Sequence, residues 1–275
     1  MTTIALIGAG GKMGFRLSRN LKNSEFQVRH VEVSEDGRQR LKQELDIDCV
    51  GADTAVDGAD AVILAVPDTL IGKIAHQLSP NLASDTMVIA LDAAAPFAGH
   101  LPERDDLIYF VTHPCHPSIF NDETDLEAKR DYFGGSKATQ HIVSALMQGD
   151  ERHFELGEAI ARTIYAPVGR AHRVSVEQMA LLEPGLSETV CATLLAVMRE
   201  AMDEVVKRGV SEQCARDFLL GHMNILGAVT FDEQPGAFSD ACNKAIENGK
   251  PMLMRDDWKR VFEPDEITAS IHRIT

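Results

Sequence analysis

The segment that most constrains the fold is the N-terminal run Thr3 to Gly14, TIALIGAGGKMG. Thr3 to Ile7 has the apolar content of a buried strand. Four glycines follow within seven residues, and Phe15 to Leu21 then resumes with helical spacing. Glycine allows a tight turn and a close approach of backbone to ligand, and a helix N-terminus offers unpaired N–H groups to negative charge. Strand, glycine loop and helix in that order form the phosphate cradle of a dinucleotide-binding βαβ unit. Met13 stands where GxGxxG would have its third glycine, so the run reads as GxxGxxG through Gly8, Gly11 and Gly14. Gly10, Lys12 and Met13 complete the expected cofactor-facing set.

The pattern that follows extends this unit. Gln27 to Val33 reads as a strand, Arg38 to Leu45 as a helix, and Ala61 to Val66 as a strand covered on both faces. A helix is expected over residues 69–78 and strands over 86–91 and 107–112. Alternating strands and helices imply an α/β fold with a doubly wound parallel sheet. Beyond about residue 150 the grammar becomes all-helical, with apolar residues at helical spacing from Ser175 to Arg208, a span of about 50 Å. The expected organisation is therefore a Rossmann NAD-binding domain over residues 1–150. A helical substrate and dimerisation domain, built on one long helix, is expected over 151–275.

Glu32 lies at the end of the second strand, 24 residues after Gly8. A carboxylate there accepts hydrogen bonds from the adenine ribose and repels a 2′-phosphate, which selects NAD over NADP; Arg29 and Arg38 are placed to soften that preference. Asp68 follows the apolar strand and Pro67. It either meets the nicotinamide-side ribose or caps the next helix. Asp92, after the next strand, is a candidate for the substrate edge of the crevice.

The segment Thr112-His113-Pro114-Cys115-His116-Pro117 is expected to reach the crevice mouth directly after the last strand of the first domain. In an extended run, residues three apart lie about 9 Å from one another, too far for two histidines to share one metal. His113, nearer the strand end, is the preferred ligand. In Leu182-Glu183-Pro184-Gly185, a proline breaks the long helix beside an acid. An unpaired buried charge is expensive, so Glu183 is either the second ligand of a divalent cation or an exposed acid on the bend. Zinc is the favoured ion.

The layout of a Rossmann unit and a helical unit with one long helix resembles the 6-phosphogluconate and 3-hydroxyacid dehydrogenase superfamily. Within it, GAGGKMG, HPCHP and LLEPGLSET together resemble the D-apionate oxidoisomerases. The resemblance implies NAD-linked oxidation of a branched sugar acid, D-apionate, coupled to a 1,2-shift of its carboxylate-bearing group to give 3-oxo-isoapionate. The superfamily's usual enzymes carry a catalytic lysine at the start of the long helix. Here no lysine occurs between Lys137 and Lys207, and a metal on His113 and Glu183 would hold the substrate oxygen instead. The general acid or base is not assigned by the residues. A plain NAD(P)-dependent hydroxyacid dehydrogenase and a non-catalytic NAD-binding regulator are the competing readings.

Charge narrows the partners. Lys plus Arg total 27 and Asp plus Glu 42, a net charge of −15, which disfavours nucleic acid and anionic lipid surfaces. The five cysteines are widely spaced without a CxxC pair, as in a reduced, cytoplasmic enzyme. The start of the chain reads as a strand rather than a signal peptide, and the longest unbroken apolar run is too short for a bilayer. The long apolar helix predicts a homodimer.

Overall fold

The computed structural model describes residues 1–274. By contacts the chain forms two compact units, one running from Met1 to Leu182 and regaining the chain from Thr268, the other from Glu183 to Ile267. The boundary expected at residue 150 thus falls inside the first unit, because a helix packed on its sheet and a further strand of that sheet lie beyond it.

That sheet has seven strands in the order β2-β1-β3-β4-β5-β6-β7. They are β1 (Thr3–Ile7), β2 (Gln27–Val31), β3 (Ala61–Leu64), β4 (Met87–Ala90), β5 (Ile108–His116), β6 (Gln140–Gln148) and β7 (Val168–Arg173). All neighbours pair in parallel except β5 and β6. The helices around it include α1 (Lys12–Lys22), α2 (Glu35–Leu45), α3 (Ala52–Val56), α4 (Asp68–Leu78), α5 (Ala94–Phe97), α6 (Leu126–Lys129), α7 (His153–Ile164) and α8 (Val176–Ala180).

Successive strand residues point to opposite faces, and the core divides accordingly. Ile4, Leu6, Ile63, Ile89, Phe110 and Ile142 face α1, α2 and α7 through Leu17, Leu41 and Ile160. Ala5, Ile7, Val62, Leu64, Val88 and Tyr109 face α3 and α4 through Val56, Ile71 and Leu78. Further along the second face, Val111, Val143 and Ala145 pack on Ala93 and on Val176 and Met179 of α8. Burial of β1, β3 and β4 on both faces explains their unbroken apolar runs.

Two expectations are corrected here. β5 extends four residues past its expected end, so the His-Pro-Cys-His run is strand and not loop, and two further strands follow it. Pro184 does not break the long helix. Val176 to Lys207 is continuous, with a π-helical stretch from Leu181 to Ala192 joining α8 to α9 (Thr193–Lys207). The wider turn absorbs the proline ring, and the Thr189 hydroxyl donates to the Pro184 carbonyl at 2.6 Å.

The second unit consists of that helix from Glu183 onward with α10 (Glu212–Thr230) and α11 (Asp240–Leu253). α12 (Pro264–Ile274) begins in it and ends in the first unit. The helix Val176–Lys207 is long and apolar enough to cross a membrane by length and composition, with only 11% of its most apolar window buried.

Candidate functional site

The cofactor loop is shaped by lack of space. Gly8 has φ +81°, and a Cβ there would lie 2.3 Å from the Ala65 carbonyl oxygen. A Cβ at Gly14 would lie 2.0 Å from the Gly8 oxygen. The Gly8 and Ala9 N–H groups both donate to the Val31 carbonyl at 2.9 Å, which seats the loop across the ends of β1 and β2. Gly11 caps α1 without any side-chain bond, so the first N–H groups of that helix face outward for an anion. Lys12 is exposed above the Phe133 ring, 5.4 Å away, and Met13 is half-buried against the core.

Glu32 is buried. One carboxylate oxygen accepts the Gly10 N–H at 2.7 Å and the other the Ser34 N–H at 2.8 Å. Each oxygen keeps a second lone pair for a ribose hydroxyl. Arg29 is turned away, donating to the carbonyls of Thr54 and Ala55 at the end of α3. Arg38 donates from Nε to the Glu32 backbone carbonyl at 2.6 Å. Asp68 is exposed in the first turn of α4. It does not cap that helix, because Pro67 stands at the cap position.

The second cluster lies at the carboxyl ends of β4 and β5. Tyr109, Val111 and His113 alternate onto the face that carries α8. Packing of Val176 and Met179 there sets the course of the helix, and Glu183 follows Met179 by one turn. One ligand atom each from Asp92, His113 and Glu183 lie within 4.8 Å of one another, all three residues half-buried. The His113 Nδ1 is 2.9 Å from the Leu91 carbonyl. A carbonyl only accepts, so Nδ1 donates to it, which leaves the Nε2 lone pair as the one that could hold a metal. Asp92 accepts the Ala94 N–H through Oδ1 at 2.6 Å and sets Oδ2 4.0 Å from His113 Nδ1.

His116 stands closer to His113 than an extended run allows. A bulge between Pro114 and His116, with φ +59° at His116, brings the two rings to 5.9 Å edge-on. Its Nδ1 is 2.8 Å from the Phe133 carbonyl, and the Phe133 ring meets both the His116 ring and the Arg16 guanidinium. Tyr165, beneath the site, is wholly buried and donates to the Thr112 carbonyl at 3.2 Å. Burial first, and the Asp92 charge second, push its phenol far above its usual range, so it stays protonated and is no base.

Comparison with known proteins identifies the family. The phosphogluconate dehydrogenase (decarboxylating) C-terminal family matches residues 121–275, and the NADP oxidoreductase coenzyme F420-dependent family matches residues 3–95. D-apionate oxidoisomerase of Rhizobium rhizogenes is 71% identical over the full length of both chains. The chain belongs to the D-apionate oxidoisomerase family. The Cupriavidus necator oxidoisomerase is 70% identical over 99% of each chain. A crystal structure described as a semialdehyde dehydrogenase NAD-binding protein from Cupriavidus necator, in complex with calcium and NAD, is 69% identical over the whole of both chains, with a TM-score of 0.99. As an oxidoisomerase the protein is an NAD-dependent oxidoreductase with a Rossmann-type domain and a helical C-terminal part, as its sequence led us to expect.

Sequence reasoning placed Asp92 at the substrate edge and missed its place beside His113 and Glu183. Leu91-Asp92 directly after an apolar strand was the available signal, since acids at strand ends line the crevice of such sheets.

Proposed function

We propose that this protein oxidises D-apionate with NAD and rearranges the product to 3-oxo-isoapionate, with a divalent cation held by His113, Glu183 and Asp92. The observation that carries the reading is the convergence of an imidazole and two carboxylates at the ends of β4 and β5. These strand ends form one crevice edge with the ends of β1 and β3, where the glycine loop lies. The fit is good. Three protein ligands of this kind leave positions open for substrate oxygens, and zinc is the ion to test first. The calcium held by the relative supports a divalent site.

When bound, the cation supplies Lewis acidity at the substrate oxygens and NAD takes the hydride. The chain's own residues do the placing. Leu91 fixes the His113 tautomer, and the Ala94 N–H pins the Asp92 carboxylate. Gly8, Gly10, Gly11, Lys12, Met13 and Gly14 hold the pyrophosphate at the start of α1. Glu32 would receive the adenine ribose, and Asp68 would meet the nicotinamide-side ribose. The substrate loses one hydroxyl proton and one hydride. A carbon substituent then moves from the neighbouring carbinol carbon to the new carbonyl carbon, and the proton lost at one oxygen balances the proton gained at the other.

A homodimer completes the reading. Leu194, Val197, Ile246, Leu253 and Trp258 line an apolar cavity of about 820 Å³ within the helical unit, a surface suited to a second copy. The test is NADH release on adding D-apionate to protein reconstituted with single metals. We expect turnover with one divalent ion and none after chelation. Equal turnover of fully metal-stripped protein would remove the metal site.

A further inference from the structure

Gly37 is the third residue of α2, a position where alanine is the better helix former. Its φ is not positive, so no backbone conformation calls for glycine. Space does. A Cβ on Gly37 would lie 2.8 Å from the Glu32 Cγ and 2.9 Å from its carboxyl carbon. Next to it, a Cβ on Gly10 would lie 2.8 Å from Glu32 Oε2 and 2.7 Å from the Gly37 Cα. Gly10 also has no positive φ. The two glycines therefore lie against each other and form one wall without side chains, on which the Glu32 side chain rests. There the carboxylate bridges the Gly10 N–H of the cofactor loop and the Ser34 N–H at the start of α2.

We propose that Gly37 is a positioning residue for cofactor choice: by leaving room for Glu32 it locks the carboxylate against the loop, at the place where a ribose 2′-substituent would arrive. This rests on the NAD reading above and goes beyond it. Selectivity comes from a charge that cannot swing aside, and it depends on a residue with no side chain of its own. The arrangement also ties selectivity to affinity. The group that repels a 2′-phosphate is the same one that holds the Gly10 N–H in place, so moving it weakens NAD binding as well as discrimination.

The experiment measures NADH and NADPH binding by nucleotide fluorescence, and KM and kcat with both oxidised cofactors, for the wild type, Gly37→Ala, Glu32→Gln and the double variant. In Gly37→Ala we expect KM for NAD to rise about tenfold, kcat at saturation to stay within about twofold, and the NAD:NADP preference to fall about tenfold. The double variant should add little to either single change, because both act on one carboxylate. Should Gly37→Ala fail to fold, Glu32→Asp, too short to bridge Gly10 and Ser34, must give the same KM and preference shifts. Unchanged KM and preference in a folded Gly37→Ala protein, beside a wild type that prefers NAD, would overturn the role of Gly37. A wild type that binds NADH and NADPH equally would instead overturn the NAD reading itself.

Discussion

The two units of this chain solve the burial problem in opposite ways. The sheet unit closes its own core on both faces, with buried residues on every one of β1 to β6. The unit from Glu183 to Ile267 buries only Pro184, Gly185, Met202, Ala215 and Ile267. Meanwhile Leu194, Leu195, Met198, Phe218, Ile225 and Leu253 lie exposed. Ordering costs about 1.5 kcal/mol per residue, and four buried side chains do not offset that over such a length. The sheet unit is therefore expected to fail by chemistry acting on its interior, the helical unit by loss of whatever covers it.

The largest expected effect belongs to the metal-ligand cluster. His113→Ala or Glu183→Ala should lower kcat/KM with D-apionate by about 10³-fold, some 4 kcal/mol at 1.36 kcal/mol per tenfold. The thermal midpoint of the sheet unit should barely move. Full activity in both variants would show that the cluster is structural.

The next effect breaks the sheet unit alone. His30 is buried on β2 and its Nε2 has no partner, and burial lowers its pKa from 6.5 to about 4. The folded state thus disfavours the proton that the unfolded chain takes up below pH 6.5. Stability from this group is complete above pH 6.5 and is lost as pH falls toward 4, by about 3 kcal/mol in all. Urea unfolding at pH 7 and pH 4 should show that loss in the wild type. In His30→Gln the part due to this group should vanish, and an identical acid loss in the variant would contradict the assignment.

The smallest effect sharpens the other side of the comparison. If a second copy covers the helical unit, a hundredfold dilution should cost about 2.7 kcal/mol of assembly free energy. Trp258, the only tryptophan, lies in that unit, so its fluorescence should report a melting point that falls on dilution. Light scattering should give a dimer at high concentration. A monomer with a dilution-independent melting point would refute the dimer.

What was legible in the sequence follows the range of the forces involved. β1, the glycine loop and α1 are set by contiguous residues, and their meaning is local. Glu32 was readable from its spacing, but its bridge between Gly10 and Ser34 was not, because the wall it rests on is completed by Gly37 on a later helix. β5 was cut short because Pro114 and Pro117 look like loop residues. The antiparallel β6 supports the strand past Pro114, with a bulge before His116. Pro184 promised a break. The π-helical turn that accommodates it leaves no signature in residue spacing. Asp92 needed the fold, since nothing in the order of residues says that it meets a histidine 21 positions later.

The central claim is oxidation coupled to rearrangement at one site, and product structure tests it most directly. D-apionate labelled with ¹³C, incubated with NAD and the metal-loaded protein, should give NADH and, by carbon NMR, a product in which one carbon–carbon connection has moved. NADH release with every original carbon–carbon connection intact would mean a simple dehydrogenase and would contradict the account.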